Sequence, residues 1–482
     1  MINTKNLING SWIPTDDQTE IFSPTFPTKL IGTICESSDN EIVQAVAAAN
    51  REFGHWRDLG QVARGNILFA AAARVEAAAN MLAEIATTEM GKPIGEARGE
   101  ALRAAAILRY YAGEGMRNIG EVIPATNPTT LQYSAREPLG VVGIITPWNF
   151  PLAIPVWKIA PALVYGNTVV FKPAELSSLT AYKLIELIED LFPTGVLNLV
   201  TGRGSVTGEL LIQNRHLNGI SFTGSSLVGR HIASAAIETG AKYQLEMGGK
   251  NPVIVADDAD LDLAIELTVS GAMRSSGQKC TATSRVIVME RILDKFTSKL
   301  VEHVKGLKIG DPIDPQTYLG PVVSKAQQEK VLSIIETGKQ QGGNLLTGGG
   351  IPTTAENLTG YFVAPTVFDN IKIDDTIAQD EIFGPVVAVI PAESIGHAIT
   401  LANSIRYGLS ASIFTNNIST AMAFVNGIKA GLVRVNEETA GVELQAPFGG
   451  VKESSSHSRE QGRSAIEFYT SIKTVAIRPI SR

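Results

Sequence analysis

Two cysteines occur in the 482 residues, and one of them stands in the run Arg274-Ser275-Ser276-Gly277-Gln278-Lys279-Cys280-Thr281-Ala282-Thr283-Ser284-Arg285. A lone thiol among small residues invites nucleophilic chemistry. A thiol attacks as its thiolate, and a loop of Gly, Ser and Thr lets backbone N–H groups approach both the sulfur and the oxyanion it creates. A free cysteine is otherwise a small buried hydrophobe, so the surroundings of Cys280 decide between the two roles. Upstream, Gln244-Leu245-Glu246-Met247-Gly248-Gly249-Lys250-Asn251-Pro252 carries a carboxylate at the end of a strand-like run, followed by the paired glycines of a tight turn. Six histidines are scattered along the chain without a Cys/His cluster, so no metal site is expected.

The elements that must position these groups belong to a large globular chain. At about 150 residues per domain the length suggests roughly three domains, and an apolar content of 44% supplies ample core. The formal charge of −7, without a basic block, offers no footprint for nucleic acid or an anionic membrane. The N-terminus lacks a basic-then-apolar signal pattern, and no run of 18 apolar residues appears, so a cytoplasmic location is expected. Cys35 and Cys280 make no disulfide framework, and a reducing compartment keeps Cys280 available.

Short strands and turns are expected over residues 7–34, then three helices: Asp39 to Phe53, an Ala-rich stretch from Gln61 to Met90, and a third ending near Arg117. From Gly140 the pattern alternates strand and helix. The strands Val141 to Thr146, Thr168 to Lys172, Leu197 to Val200, Ile220 to Thr223 and Tyr243 to Glu246 imply a doubly wound parallel sheet, whose ligands bind beyond the carboxyl ends of the strands. No strict G-x-G-x-x-G follows the first strand, and Gly202 to Gly208 reads as a turn. A second alternation runs from Asn251 to about Gly450, leaving Cys280 in a loop between the helix Leu261 to Arg274 and the strand Ser284 to Met289. Residues 341–360 read as surface loop. Two half-exposed strands, 131–137 and 472–478, would leave an unpaired edge and so call for a partner.

Pro147-Trp148-Asn149-Phe150-Pro151, the Glu246 and Cys280 segments, Gln379-Asp380-Glu381-Ile382-Phe383-Gly384-Pro385 and Ala446-Pro447-Phe448-Gly449-Gly450-Val451-Lys452 together resemble the aldehyde dehydrogenase superfamily, over essentially the whole chain. The resemblance implies an α/β architecture of two doubly wound parallel-sheet domains with a small β arm. It divides the chain into an NAD(P)-binding domain (1–122 and 138–248), a catalytic domain (249–465) and an oligomerisation arm (123–137 and 466–482) that makes a homodimer or homotetramer. It implies a dinucleotide cofactor, NAD or NADP, held by Thr146, Pro147, Trp148, Lys172, Glu175, Gly224, Ser225, Glu381 and Phe383. The Glu175 carboxylate would accept ribose hydroxyls and repel a 2′-phosphate, favouring NAD.

By the same resemblance Cys280 attacks the aldehyde, Asn149 stabilises the oxyanion, and Glu246 activates water against the thioester. Lys158 matches a position linked to Glu246, or is a structural ion-pair partner. Trp157, Gln278, Thr281, Phe448 and Arg274 would surround the substrate. Arg274 is expected as a buried cation that either pairs with a protein carboxylate or awaits an anionic substrate. An ω-carboxylated semialdehyde follows, 2,5-dioxopentanoate with succinic semialdehyde as its nearest rival. The segment Glu453 to Gly462 is longer and richer in Ser than the family's common version. Glu246 argues against a CoA-acylating enzyme, and the presence of both Cys280 and Glu246 against a purely structural relative.

Overall fold

The protein is described by a computed structural model over residues 1–353 and 359–480. Two seven-stranded sheets carry the architecture. In the first, Lys242–Glu246, Gly219–Thr223, Val141–Ile145, Thr168–Lys172 and Leu197–Leu199 lie side by side in that order, all parallel. The antiparallel pair Asn6–Ile8 and Ser11–Ile13 extends the far edge. In the second, Thr366–Asp369, Val386–Ala392, Thr283–Met289, Asn251–Val255, Ser410–Phe414 and Leu432–Val435 are parallel, with Asn344–Thr347 antiparallel at one edge. Strands such as Thr168–Lys172 and Gly219–Thr223 are buried along their whole length, as strands covered by helices on both faces must be.

The helices explain themselves locally. Asp39–Asp58 begins with a capping box in which Ser38 accepts from Asn40 N–H while Glu41 accepts from the Ser38 N–H at 2.9 Å. The Ala-rich stretch is two helices rather than one, Gln61–Ala77 and Ala79–Met90, broken where Ala78 leaves helical geometry at φ −93°, ψ 6°. No Gly or Pro marks that break; each half buries its own stripe, Leu68, Ala72 and Val75 in one and Leu82, Ala83 and Ala86 in the other. The segment 341–360, expected to be loop, contains the edge strand Asn344–Thr347 because Leu345 and Leu346 find apolar partners; residues 354–358 lie outside the described residues.

The two half-exposed strands pair with each other. Leu131–Pro138 runs antiparallel to Thr470–Ile477 from Pro138 opposite Thr470 to Leu131 opposite Ile477, and Val122–Ile123 adds a short third strand. Val122, Leu131, Ile472 and Ile477 remain exposed on this small sheet; residues 481–482 of the expected arm lie outside the described residues. Among the described residues no helix is long and apolar enough to cross a membrane.

Candidate active site

The carboxyl end of the first sheet faces the loop that carries Cys280. That loop starts where the helix Leu261–Met273 stops: Arg274 has extended ψ (146°), and Ser275, Ser276 and Gly277 then all take positive φ (54°, 54° and 69°). Two non-glycine residues in the left-handed region are strained and persist only where the surroundings over-determine them. Here Glu96 accepts from both the N–H and the hydroxyl of Ser275 (3.1 and 2.6 Å), and the Ser276 hydroxyl donates to Gly320 O at 2.7 Å. A Cβ on Gly277 would overlap the Gly384 backbone, so the loop is pressed onto the Glu381–Pro385 segment.

This geometry corrects two expectations. Arg274 is not a buried cation at Cys280. The helical φ keeps the Arg274 side chain on the surface of the helix while the extended ψ turns the following loop away, so the guanidinium is exposed and lies over the Tyr318 ring at 5.3 Å from the centroid. It lines a separate surface cleft of about 710 Å³ with Glu266, Lys299 and Glu302. Gln278 likewise turns its side chain away: its Oε1 accepts from Val323 N–H at 2.9 Å and its Nε2 donates to Ser275 O at 3.3 Å, so the amide fastens the loop. Its backbone oxygen is what reaches the site, accepting from Asn149 Nδ2 at 2.9 Å.

Asn149 therefore has one amide N–H anchored and one left to donate; its buried Oδ1 finds no partner among the described residues. The turn around it is held by Glu100, whose Oε1 accepts from the Leu152 and Ala153 N–H groups (2.7 and 3.0 Å) at the start of the helix Ala153–Val164. Glu100 pairs in turn with Lys92, which is buried and stands 4.0 Å over the Phe150 ring. Removing one partner of such a buried pair typically costs about 3–5 kcal/mol.

Cys280 is half-buried and lines a cleft of about 180 Å³ together with Pro147, Trp148, Asn149, Gly224, Ser225, Glu381 and Phe383. Burial pushes its thiol up to about 12, with the Glu381 and Glu246 carboxylates adding to the effect and the backbone N–H groups of Thr281 and Cys280 opposing it. Burial and the two carboxylates thus both favour the thiol over the thiolate at this position. Glu381 is pushed up to about 7, chiefly by burial, against the 3.2 Å hydrogen bond it accepts from Gly249 N–H. Glu246 is raised well above the carboxylate range, first by burial and then by Glu460; Ser455, Lys158 and Arg459 act the other way.

Lys158 is a buried ion-pair partner, and its carboxylate is Glu460 rather than Glu246. The same ammonium donates to Ser221 Oγ at 3.0 Å, and the other Glu460 oxygen accepts from Trp157 Nε1 at 2.8 Å. Trp157 packs against Phe448 (5.4 Å between centroids), which shares an apolar cluster with Val442 and Cys280. Thr281 is buried beside the sulfur, its carbonyl accepting from Thr439 Oγ1 at 2.8 Å.

The other wall of the cleft fits a nicotinamide dinucleotide. Ser225 caps the helix Ser226–Thr239, accepting from Val228 N–H at 3.4 Å, and leaves the first turn's other N–H groups to face the cleft end, as phosphate recognition requires. The Thr146 and Thr223 hydroxyls are buried without partners among the described residues. Trp148 and Phe383 meet edge to face at 5.3 Å, with Phe383 held at φ 59°. Gln327 Nε2 donates to the Phe383 carbonyl at 2.8 Å. A Cβ on Gly248 would overlap the Glu381 carboxylate, so that glycine makes room for it. Lys172 is buried and lowered to about 8, mainly by burial, and Glu175 accepts from Gly204 N–H at 3.0 Å.

Several groups at the site carry no motif signal. Ser455 donates to Glu246 Oε2 at 2.6 Å, and Glu460 organises Lys158 and Trp157. Both belong to the Ser-rich segment whose length and composition stand out. Three more of its residues run along the strand that ends in Glu246 and the turn after it: Ser454 donates to Gly248 O, Ser456 accepts from Leu245 N–H, and Ser458 accepts from Gln244 Nε2. Arg103 is the other omission. Its guanidinium donates to the Val442 carbonyl and is lowered, mainly by burial.

Known proteins resemble this chain along nearly its whole length. Residues 12–475 match the aldehyde dehydrogenase family. The chain is 52% identical to an alpha-ketoglutaric semialdehyde dehydrogenase of Bacillus subtilis, over 98% of each chain. It is 40% identical to a 2,5-dioxopentanoate dehydrogenase of Saccharolobus solfataricus, over 90% of this chain and 91% of that one. Among solved structures, betaine aldehyde dehydrogenase from Staphylococcus aureus in complex with NAD+ superposes with a TM-score of 0.96 at 35% identity, covering 98% of this chain and 95% of that one. An NAD-dependent aldehyde dehydrogenase from Sinorhizobium meliloti gives 0.96 at 35% identity, covering 100% and 96%. These matches show that the chain is an enzyme and belongs to the aldehyde dehydrogenase family.

Proposed function

We propose that the enzyme oxidises 2,5-dioxopentanoate to 2-oxoglutarate, consuming one NAD(P)+ and one water and releasing NAD(P)H. The observation that carries this reading is the 52% identity, end to end, with the Bacillus subtilis alpha-ketoglutaric semialdehyde dehydrogenase. The bound dinucleotide would accept the hydride; the chain's own residues do the rest. Cys280 loses its proton to a neighbouring carboxylate and its sulfur bonds to the aldehyde carbon. The free N–H of Asn149 and the Cys280 backbone N–H receive the oxyanion. Departure of hydride leaves a thioester on Cys280. Glu246 then takes a proton from water, the oxygen attacks the acyl carbon, and the C–S bond breaks to release the thiolate, which recovers the proton it gave to the neighbouring carboxylate while the proton on Glu246 passes to solvent.

A substrate with a far carboxylate needs a cation on the Phe448 side. With Arg274 stacked on Tyr318, that cation is Arg103, which sits on the carbonyl of Val442 and has four guanidinium N–H donors beyond the one it uses there. Glu175 favours NAD by accepting ribose hydroxyls where a 2′-phosphate would be repelled. The exposed apolar side chains on the small antiparallel sheet suit burial in a homo-oligomer, which light scattering would read as a dimer or tetramer.

The test is a steady-state panel of 2,5-dioxopentanoate, succinic semialdehyde, glutarate semialdehyde and an uncharged aldehyde with each cofactor. The reading expects the highest kcat/KM for 2,5-dioxopentanoate with NAD+. An uncharged aldehyde turned over as well would overturn the substrate class, and a preference for succinic semialdehyde would overturn the chain length.

A further inference from the structure

We infer that Ser455 is a positioning residue for Glu246, whose hydroxyl holds the carboxylate in a notch beside Gly449 and stabilises it there as an anion. The inference rests on Glu246 being the base that activates water. Glu246 is 1% exposed and does not line the Cys280 cleft, so its side chain occupies a place of its own. One wall of that place is Gly449, at φ 144°, where a Cβ would come within 2.8 Å of Glu246 Oε1. The opposite wall is Ser455, donating to Oε2 at 2.6 Å, while its oxygen accepts from Gly450 N–H at 2.6 Å. A backbone donor thus orients a hydroxyl, and the hydroxyl orients the carboxylate.

Oε1 has no partner among the described residues. A buried carboxylate with one oxygen unsatisfied is held by a single directed bond, so loss of that bond should be felt. The charged and titratable groups around it are Glu460, which disfavours its ionisation, Lys158 and Arg459, which favour it, and the thiol of Cys280. Lys158 is already committed to Glu460, and Arg459 brings its stem and one guanidinium nitrogen beside Gly449 but makes no hydrogen bond or ion pair with Glu246 among the described residues. Ser455 is therefore the neighbour that bonds the carboxylate directly, and as a donor it favours the anion.

Glu246 must be ionised to accept a proton from water, so removing the hydroxyl should make it harder to ionise and move the acidic limb of kcat to higher pH. The step before it, which releases NADH, should be spared. The experiment compares the parent enzyme with Ser455→Ala, Ser455→Gly and Ser455→Thr, by the pH profile of steady-state turnover and the amplitude of the first-turnover NADH burst. Ser455→Ala is expected to shift the acidic limb up by about one pH unit, roughly tenfold in rate on the acidic side, with the burst retained. Ser455→Thr, which keeps the hydroxyl, should restore the parent profile. Ser455→Gly gives the same reading if the alanine variant does not fold. An unmoved limb, a lost burst, or a threonine variant that behaves like alanine would overturn the inference. Glu246→Gln separates the two readings: full turnover in that variant would remove the base itself, whereas a stalled variant beside an unmoved Ser455→Ala limb would remove only the role of Ser455.

Discussion

Replacing Arg103 and Arg274 in parallel separates a cation that meets substrate from one that does not. Among the described residues Arg103 makes one hydrogen bond, to the Val442 carbonyl, and Val442 packs with Phe448 and Cys280. A hydrogen bond to a charged group contributes about 1.5–3 kcal/mol, so Arg103→Ala should lower kcat/KM for 2,5-dioxopentanoate by roughly one to two powers of ten more than for an uncharged aldehyde. The uncharged aldehyde is the internal control: freeing the Val442 carbonyl disturbs both substrates alike, and only the difference reports the carboxylate. Arg103→Lys should recover part of the loss, because an ammonium cannot reproduce a bidentate fork. Arg274 is exposed and stacked on Tyr318, a contact of about 0.5–1 kcal/mol at such a site. Arg274→Ala should therefore lower kcat/KM less than about fivefold, equally for both aldehydes. Equal losses at Arg103, or a loss confined to the charged substrate at Arg274, would refute this reasoning.

Other expectations follow from the same geometry. Cys280→Ala should abolish dehydrogenation while fluorescence titration still shows NAD+ binding, since in the proposed mechanism the sulfur forms the bond to substrate but does not hold the cofactor. Asn149→Ala removes the proposed oxyanion donor and should lower kcat about 10²–10³-fold with little change in NAD+ affinity. Glu89 is buried against the Leu179 and Thr180 N–H groups and the Thr180 hydroxyl, and burial raises it to about 7 from 4.5. Between those values the folded protein keeps a proton that the unfolded chain has lost. The stability this contributes is therefore full below about pH 4.5 and is lost as pH rises through about 7. Thermal midpoints measured across that window should fall with pH for the parent and lose this component of the slope in Glu89→Gln.

Much of the site was legible in the sequence because the groups that touch reacting atoms come with local signals. Cys280 lies in a loop opened by the small residues Ser275, Ser276 and Gly277, Glu246 closes a strand, and the strand-helix alternation places Thr146, Lys172 and Thr223 at the carboxyl end of one sheet. Side-chain direction was not legible. The chain leaves Arg274 on the helix surface by a single extended ψ that turns the following loop away, and Gln278 turns toward Val323, neither of which residue type or spacing encodes. Nor were the long-range partners: Glu460 reaches Lys158 across 302 positions and Ser455 reaches Glu246 across 209. The Ser-rich composition of 453–462 was visible, but its use became clear only with its hydroxyls laid along the Glu246 strand. The break at Ala78 is of the same kind, set by how two helices pack rather than by a breaker residue.

The central claim is a division of labour in which Cys280 carries the acyl group and Glu246 is needed only after hydride has left. Rapid mixing of Glu246→Gln with 2,5-dioxopentanoate and NAD+, followed at the absorbance of NADH, tests it most directly. The account predicts a burst approaching one NADH per active site and then a stall, with an acyl group recoverable on Cys280. A burst lost together with steady-state turnover would contradict it and would place Glu246 at the earlier step, as the base that takes the proton from Cys280.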